Sequence, residues 1–389
     1  MHILLSPWSG GYLPGIGGIS ASSLGWTLAT TDVLDLDIEE AAFVPPGVGN
    51  RSTTVHKEEL LLCVGLATSP AVSHAQPSAW GFFVEHLASF RAGSGRVRAV
   101  ADSKDWDPHV KTMFSDRVGM GAAVWALWRD YDVVHIADAD RFIGRALAKA
   151  PAAFRSKWLK SLGKYGKTGK YKPDFFCLDS SGQVVVAEAK GAMGPPSVLA
   201  SDIKKGKEQV RNVDPVGVAL RPANNRLVLA LNLRRANESP NKGKDSALRV
   251  VDPEGGDDPL AVQVSAEELV RAAYAKVCTF AGQPLLAAAI LSSRSPLADE
   301  GALEQSSVVF AGRRAVPLAA FPGFFLGLDL GVAQALLASS SEDLPRRVHQ
   351  ATSGFGEYRR GLLGEGFDAG IALPNGVVAS FQPEEVIFR

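Results

Sequence analysis

The residues of this chain with the clearest capacity for chemistry are Asp174, Glu188 and Lys190. They would supply two carboxylates and an ammonium group. Two carboxylates held side by side repel each other unless a positive charge lies between them, and a divalent cation is the largest charge available. Mg²⁺ takes one or two protein carboxylates and leaves its other positions to water and phosphate oxygens. These residues therefore indicate a Mg²⁺ site, provided that the fold brings them together.

The segments that carry them predict a β-hairpin. Residues 171–178 and 183–190 are rich in Val, Phe and Tyr, and turn-forming residues separate them. If the loop is Ser180-Ser181-Gly182, with glycine in the left-handed conformation, Asp179 pairs with Gln183.

This register places Asp174 directly opposite Glu188. Side chains alternate along a strand, so Lys190 shares a face with Glu188, and Asp174 lies on that same face. Cys177 falls on the opposite face and is expected in the core. The two carboxylates and the ammonium group should therefore converge.

The elements around the hairpin have a recognisable order. Apolar spacing predicts a helix over 119–131, a strand over 132–138, a helix capped by Ser201 and ending near Asn212, and a strand over 226–233. The last strand is apolar on both faces, as expected for a central strand covered on both sides. The order is helix, three strands, helix and strand.

With this order and these residues, the chain resembles the PD-(D/E)xK nuclease superfamily. The resemblance covers about a third of the chain and implies an α/β fold with a restriction-endonuclease-like core, a mixed sheet in αβββαβ order. It implies that Asp174, Glu188 and the carbonyl group of Ala189 bind the metal and that Lys190 orients or activates the attacking water. It also implies a catalytic role for Gln209 on the following helix.

One feature departs from the resemblance. Members often carry a glutamate on the first core helix, and residues 119–128 contain none; Asp116 is the nearest acidic residue upstream. A second metal site is therefore left open. Two alternatives also stay open: a surface hairpin with an ordinary salt bridge worth roughly 0–1 kcal/mol, and a nuclease-fold subunit that binds nucleic acid or a protein without cutting.

The charge distribution favours a nucleic-acid partner, although 41 basic and 41 acidic residues give the chain no net charge. A basic stretch with interleaved aromatic residues, typical of phosphate contact and base stacking, leads into the hairpin, and further lysines follow it. A solvated surface is the alternative for each lysine. The candidate contacts are Lys160, Lys164, Lys167, Lys170, Lys172, Lys204, Lys205 and Lys207. The expected substrate is DNA, with RNA left open, and the resemblance suggests an endonuclease in bacterial defence or DNA repair.

Length and composition indicate the number of domains and the cellular location. With 389 residues, 46% of them hydrophobic, the chain can form two or three domains. We expect an N-terminal region over 1–110, the nuclease core over 111–240 and an α+β region over 241–389, which includes a capping box at Ser265 and a hairpin at Pro374-Asn375-Gly376. Three scattered cysteines and no apolar run of 18 residues predict a cytoplasmic protein without a membrane anchor. A homo-oligomer or a place in a larger complex is left open.

Overall fold

A computed structural model describes the chain in segments. The described residues are 33–40, 49–69, 89, 96–152, 155–156, 172–194, 196–217, 221–238, 245–256, 259–292, 300–310, 312–321, 324–337, 343–355 and 370–380. They belong to two compact units, one within Asp32–Ala288 and one that includes the residues from Ala289 onward.

The first unit contains the predicted site. Its strands are β1 (Val33–Glu40), β2 (Arg51–His56), β3 (Val133–Asp138), β4 (Phe175–Asp179), β5 (Gln183–Ala192), β6 (Val213–Val216), β7 (Arg221–Asn232), β8 (Ala247–Val251) and β9 (Leu260–Gln263). Its helices are α1 (Lys57–Thr68), α2 (Pro108–Asp130), α3 (Ala139–Lys149), α4 (Pro196–Arg211) and α5 (Ala266–Phe280), with a 3-10 helix at Ala101–Asp105. Helix α6 (Pro284–Leu291) spans the boundary between the units.

A mixed sheet of seven strands, in the order β2-β1-β8-β7-β5-β4-β3, forms the centre of this unit. The pairs β1–β8 and β5–β7 are parallel, and the other pairs are antiparallel. Residues 227–231 of β7 are fully buried, which confirms the prediction of a central strand. The fold is therefore a mixed α/β fold.

The hairpin between β4 and β5 has the predicted register. Phe175 pairs with Ala187 and Leu178 with Val184, and the same count places Asp174 opposite Glu188. Gly182 has φ +80°, the left-handed conformation that the three-residue loop requires. The turn therefore sets which residues of the two strands meet at the site.

Two predicted helix starts are wrong. The first core helix begins at Pro108, eleven residues before the predicted Gly119, because Asp107 caps it by accepting a hydrogen bond from His109 N. The second begins at Pro196 rather than after Ser201, since proline is favourable at the first helical position. In addition, α3 lies between β3 and β4, and β6 lies between α4 and β7.

The compact unit extends beyond the predicted core of residues 111–240 on both sides. Strands β1, β2 and β8 complete the sheet at one edge, and α1 and α5 pack within the same unit. The capping box at the start of α5 is confirmed: Ser265 Oγ accepts from Glu268 N, and Glu268 Oε2 accepts from Ser265 N.

Helix α2 lies directly against β5 beside the site. A Cβ atom at Gly191 would lie 1.7 Å from the Ser115 carbonyl oxygen, and one at Gly119 would lie 2.6 Å from the Lys190 carbonyl oxygen. Both contacts are with backbone atoms, which cannot rotate away. Only glycine at these positions allows the helix to approach the strand this closely.

We therefore expect Gly191→Ala to lower the free energy of unfolding by about 1–3 kcal/mol or more, the usual effect of overpacking. Urea denaturation would measure it. Gly144→Ala on α3 is the matched control, because a Cβ atom there would have no neighbour within 4 Å. That change should leave stability equal or raise it by about 0.5–1 kcal/mol. Equal unfolding midpoints for Gly191→Ala and wild type would contradict the close approach of α2.

The second unit contains a five-stranded antiparallel sheet, in the order β10-β11-β12-β14-β13. Its elements are α7 (Glu300–Ser306), β10 (Val308–Phe310), β11 (Arg313–Phe321), β12 (Phe324–Asp329), α8 (Leu330–Leu337), α9 (Leu344–Thr352), β13 (Gly370–Ala372) and β14 (Val377–Ser380). The predicted hairpin at residues 374–376 is confirmed as the β13–β14 turn. In the described segments of both units, no helix has the length and apolar character needed to cross a bilayer.

Candidate active site

The three residues chosen from the sequence meet on one face of the hairpin. Glu188 is 0% exposed, and its Oε1 accepts a hydrogen bond from Lys190 Nζ. Asp174 Oδ2 accepts from Ala189 N at 2.9 Å, and the Asp174 and Glu188 carboxyl groups are within hydrogen-bonding reach of each other. The Lys190 side chain is 22% exposed and keeps this cluster in contact with solvent. The predicted convergence is therefore present.

Burial dominates the ionisation of the two carboxyl groups. It raises the pKa of Glu188 well above its ordinary value, and the neighbouring Asp174 raises it further, whereas Lys190 lowers it. Burial also raises the pKa of Asp174, against the lowering effects of Lys190 and the Ala189 amide group. The pKa of Lys190 is raised because the two carboxyl groups outweigh its partial burial.

One further carboxylate, that of Asp116, lies near Lys190. Asp116 of α2 is exposed, yet its carboxyl group is partly desolvated. This desolvation raises the pKa of Asp116, and the charge of Lys190 lowers it. Asp202 of α4 and Asp174 raise the pKa of Asp116 by their charge. The first core helix therefore brings the Asp116 carboxylate toward the site. Asp116 is the acidic residue that lies just upstream of the predicted start of this helix.

The loop before Asp174 is held at several points. Ala139 N donates to the Asp174 carbonyl oxygen at 3.0 Å, which joins the start of α3 to the site. Gln209 of α4 is 5% exposed, and its Nε2 donates to the Lys172 carbonyl oxygen at 2.7 Å. Lys172 Nζ forms an ion pair with Asp140 Oδ1. In this structure Gln209 therefore positions the backbone that carries Asp174.

We expect Gln209→Met, which keeps the side-chain volume, to lower stability by about 1–3 kcal/mol because the Lys172 carbonyl oxygen loses its donor. Urea denaturation would measure this loss. Gln350→Met, at an exposed helical position of the second unit, is the control. A Gln209→Met protein with wild-type stability would contradict the positioning role.

A buried lysine behind the site was missed from the sequence. The Lys276 side chain on α5 is 5% exposed, its Nζ pairs with Asp138 Oδ1, and it lies 5.2 Å from the centre of the Phe175 ring. Its charge also lowers the pKa of Asp174. Lys276 follows Leu269 by seven positions and so shares the apolar face of α5, where a charged residue needs a buried partner. A lysine on the apolar face of α5 was therefore the feature of the sequence that could have indicated a buried ion pair.

The donor set fits a hard divalent cation. Within the described segments, no group of three or more His, Cys, Asp or Glu side chains is placed to hold a metal ion. Glu188 Oε2 is buried and receives no hydrogen bond from any described residue. A metal at this place would therefore be held by Asp174, Glu188 and the backbone at Ala189, with water completing the coordination, as Mg²⁺ allows.

The predicted nucleic-acid contacts divide into three groups. Lys160, Lys164, Lys167 and Lys170 lie outside the described residues. Lys172 and Lys205 form ion pairs, with Asp140 and with Asp202. Lys204 is exposed and Lys207 is partly exposed on α4.

The three cysteines are all buried thiols. Burial raises the pKa of the Cys177 thiol far above its ordinary value, so this residue is a core residue, as predicted from its strand face. Comparison with protein-family models, with curated proteins and with solved structures finds no match to this chain.

Proposed function

We propose that this chain is a Mg²⁺- or Mn²⁺-dependent deoxyribonuclease built on a restriction-endonuclease-like core of the PD-(D/E)xK type. The observation that carries the proposal is the pair of carboxyl groups formed by the fully buried Glu188 and the partly buried Asp174, with Lys190 beside them. The order α2, β3, β4, β5, α4 and β7 supports the proposed core. The added helix α3 and strand β6 are insertions in that order.

An ordinary salt bridge does not account for this arrangement. Exposed ion pairs are worth roughly 0–1 kcal/mol, whereas Glu188 is 0% exposed and shares its one lysine with a second carboxyl group. Burying two carboxyl groups with one cation costs stability unless further positive charge compensates them. A divalent cation supplies that charge, which makes a metal site the better explanation of the pair.

The chemistry assigns a role to each residue. A bound Mg²⁺ or Mn²⁺ would supply Lewis acidity for water and for a phosphate oxygen. Asp174 and Glu188 would hold it, together with the carbonyl group of Ala189. Lys190 would orient the attacking water and stabilise the negative charge that develops on the phosphoryl oxygens. In that step the water oxygen forms the new P–O bond and loses a proton to solvent, while the P–O bond to the leaving oxygen breaks and that oxygen takes up a proton from solvent.

A second candidate function is binding without cleavage. The observation that favours it is the lack, in the described parts of the chain, of a third acidic or imidazole side chain in a metal-holding group. In that case the chain would act as a subunit that binds nucleic acid or a partner protein. A cytoplasmic location is proposed for both functions, supported by three buried cysteines that are kept as thiols.

Incubation of the purified protein with plasmid, linear duplex DNA, single-stranded DNA and RNA separates the two functions. Each substrate is tested with Mg²⁺, with Mn²⁺ and with EDTA. The nuclease proposal expects cleavage of DNA in either metal and none in EDTA. Binding without cleavage in every metal would favour the second function.

A further inference from the structure

A cavity of about 590 Å³ lies between α3, β9 and the start of α5, away from the carboxyl pair. Its lining includes Arg145, Lys149, Pro151, Ala261, Val264 and Glu268. Most of the wall is apolar, and the charged groups lie on the α3 and α5 sides. A cavity of this size and composition is typical of a site for a small amphipathic group.

One face of α3 carries a row of positive charge. Arg141, Arg145 and Lys149 are spaced by four residues each and so lie on the same side of the helix. Arg141 and Lys149 are exposed, and the described residues provide no ion-pair partner for Lys149. The row can therefore contact consecutive phosphate groups of a strand.

Arg145 is held in a fixed orientation at the cavity. Its Nη1 lies 2.6 Å from Glu268 Oε1, and its guanidinium group lies 5.3 Å from the centre of the Phe142 ring. Glu268 is fixed in turn by the capping box of α5. A fixed guanidinium plane beside an apolar wall is a surface on which an unpaired base can stack.

The cavity is connected to the candidate active site through α3. The helix begins at Ala139, whose amide group donates to the Asp174 carbonyl oxygen, and it carries Arg145 and Lys149 about 9 and 15 Å further along its axis. A single strand that follows this face of α3 can therefore extend from the candidate active site to the cavity.

We propose that this cavity binds an unpaired nucleotide of the substrate strand, close to the bond that is cut. The base packs on the apolar wall and the Arg145 guanidinium plane, and the adjoining phosphates contact Lys149 and Arg141. This inference rests on the proposed function and extends it, because it names single-stranded DNA next to the cleavage position as the preferred ligand.

Two variants test the cavity in different ways. Ala261→Trp fills it from an exposed position of β9 without changing charge, and Lys149→Glu reverses one charge. The controls are Leu285→Trp, at a position that is 69% exposed, and Lys104→Glu, on the exposed 3-10 helix. The assay is fluorescence anisotropy of a labelled single-stranded 16-mer in EDTA, with the blunt duplex of the same sequence in parallel. We expect each cavity variant to weaken single-strand binding on the order of tenfold, with both controls unchanged.

The outcomes separate the two proposals. Wild-type single-strand affinity in both cavity variants would overturn the cavity proposal even if the wild type cleaves DNA. The cavity proposal would also be overturned if the variants weaken only duplex binding, or if the wild type does not bind the single strand. Cavity-dependent binding of the single strand, without cleavage in Mg²⁺ or Mn²⁺, would support the cavity and contradict the nuclease.

Discussion

Glu188→Gln should abolish metal-dependent cleavage, with a loss on the order of 10³-fold or more, while it makes the metal-free protein more stable above neutral pH. Cleavage is lost because one of the two carboxylates available to a metal is removed, and metal stabilisation of the transition state is worth several kcal/mol. Stability rises because glutamine fills the same buried space without charge. If Glu188 served only to stabilise the fold, its replacement by glutamine would not raise the stability of the protein.

The sign of the stability effect follows from the raised pKa of Glu188. The native protein binds a proton at Glu188 more tightly than the unfolded chain does. This contribution to stability is fully present below the ordinary glutamate pKa and is lost as the pH rises through the raised native value. The glutamine variant has no such loss, so its advantage in the free energy of unfolding should grow as the pH rises.

Urea denaturation at several pH values in EDTA, together with single-turnover cleavage in Mg²⁺, would measure both effects. Glu208→Gln, at an exposed position of α4, is the matched control and should change neither quantity. Asp174→Asn should lose cleavage to a similar degree. Wild-type cleavage by the Glu188 or the Asp174 variant would refute the catalytic assignment.

Lys190→Met should retain metal and DNA binding, yet lose on the order of 10²-fold or more in the rate of cleavage. The side chain pairs with Glu188 and remains 22% exposed, so its ammonium group can reach water or phosphate without being a metal ligand. Methionine keeps the apolar stem and removes only the charge. The expected loss is therefore in the chemical step.

Single-turnover cleavage and metal-titration calorimetry on this variant would separate the possibilities. Lys111→Met on α2 is the control, since among the described residues the ammonium group of Lys111 donates to the backbone carbonyl oxygen of Lys104 and lies outside the carboxyl pair. An unchanged rate would show Lys190 to be an ordinary strand lysine. Loss of metal binding together with the rate would show that its contribution is structural.

Local chemistry made the hairpin predictable. The turn residues, with glycine in the left-handed position, determine its register, and strand alternation then places Asp174, Glu188 and Lys190 together. The start of α5 was predictable for the same reason, because its capping box involves residues only three positions apart.

Contacts between distant segments were not predictable from these patterns. The parallel pairing of β1 with β8 joins residues about two hundred positions apart, and no local signal specifies that partner. The approach of Asp116 to Lys190 depends on the glycine contact between α2 and β5. The pairing of Lys276 with Asp138 likewise depends on how α5 packs.

Metal titration of the wild-type protein tests the central claim, a metal site at the carboxyl pair, most directly. Because burial raises the pKa of both carboxyl groups, protons compete with a metal for the pair. Calorimetric titration of Mn²⁺ and Mg²⁺ at several pH values, in two buffers of different ionisation enthalpy, measures both affinity and proton release. We expect saturable binding that tightens as the pH rises, releases protons and is lost in Glu188→Gln. Absence of binding, or binding that Glu188→Gln leaves unchanged, would contradict it.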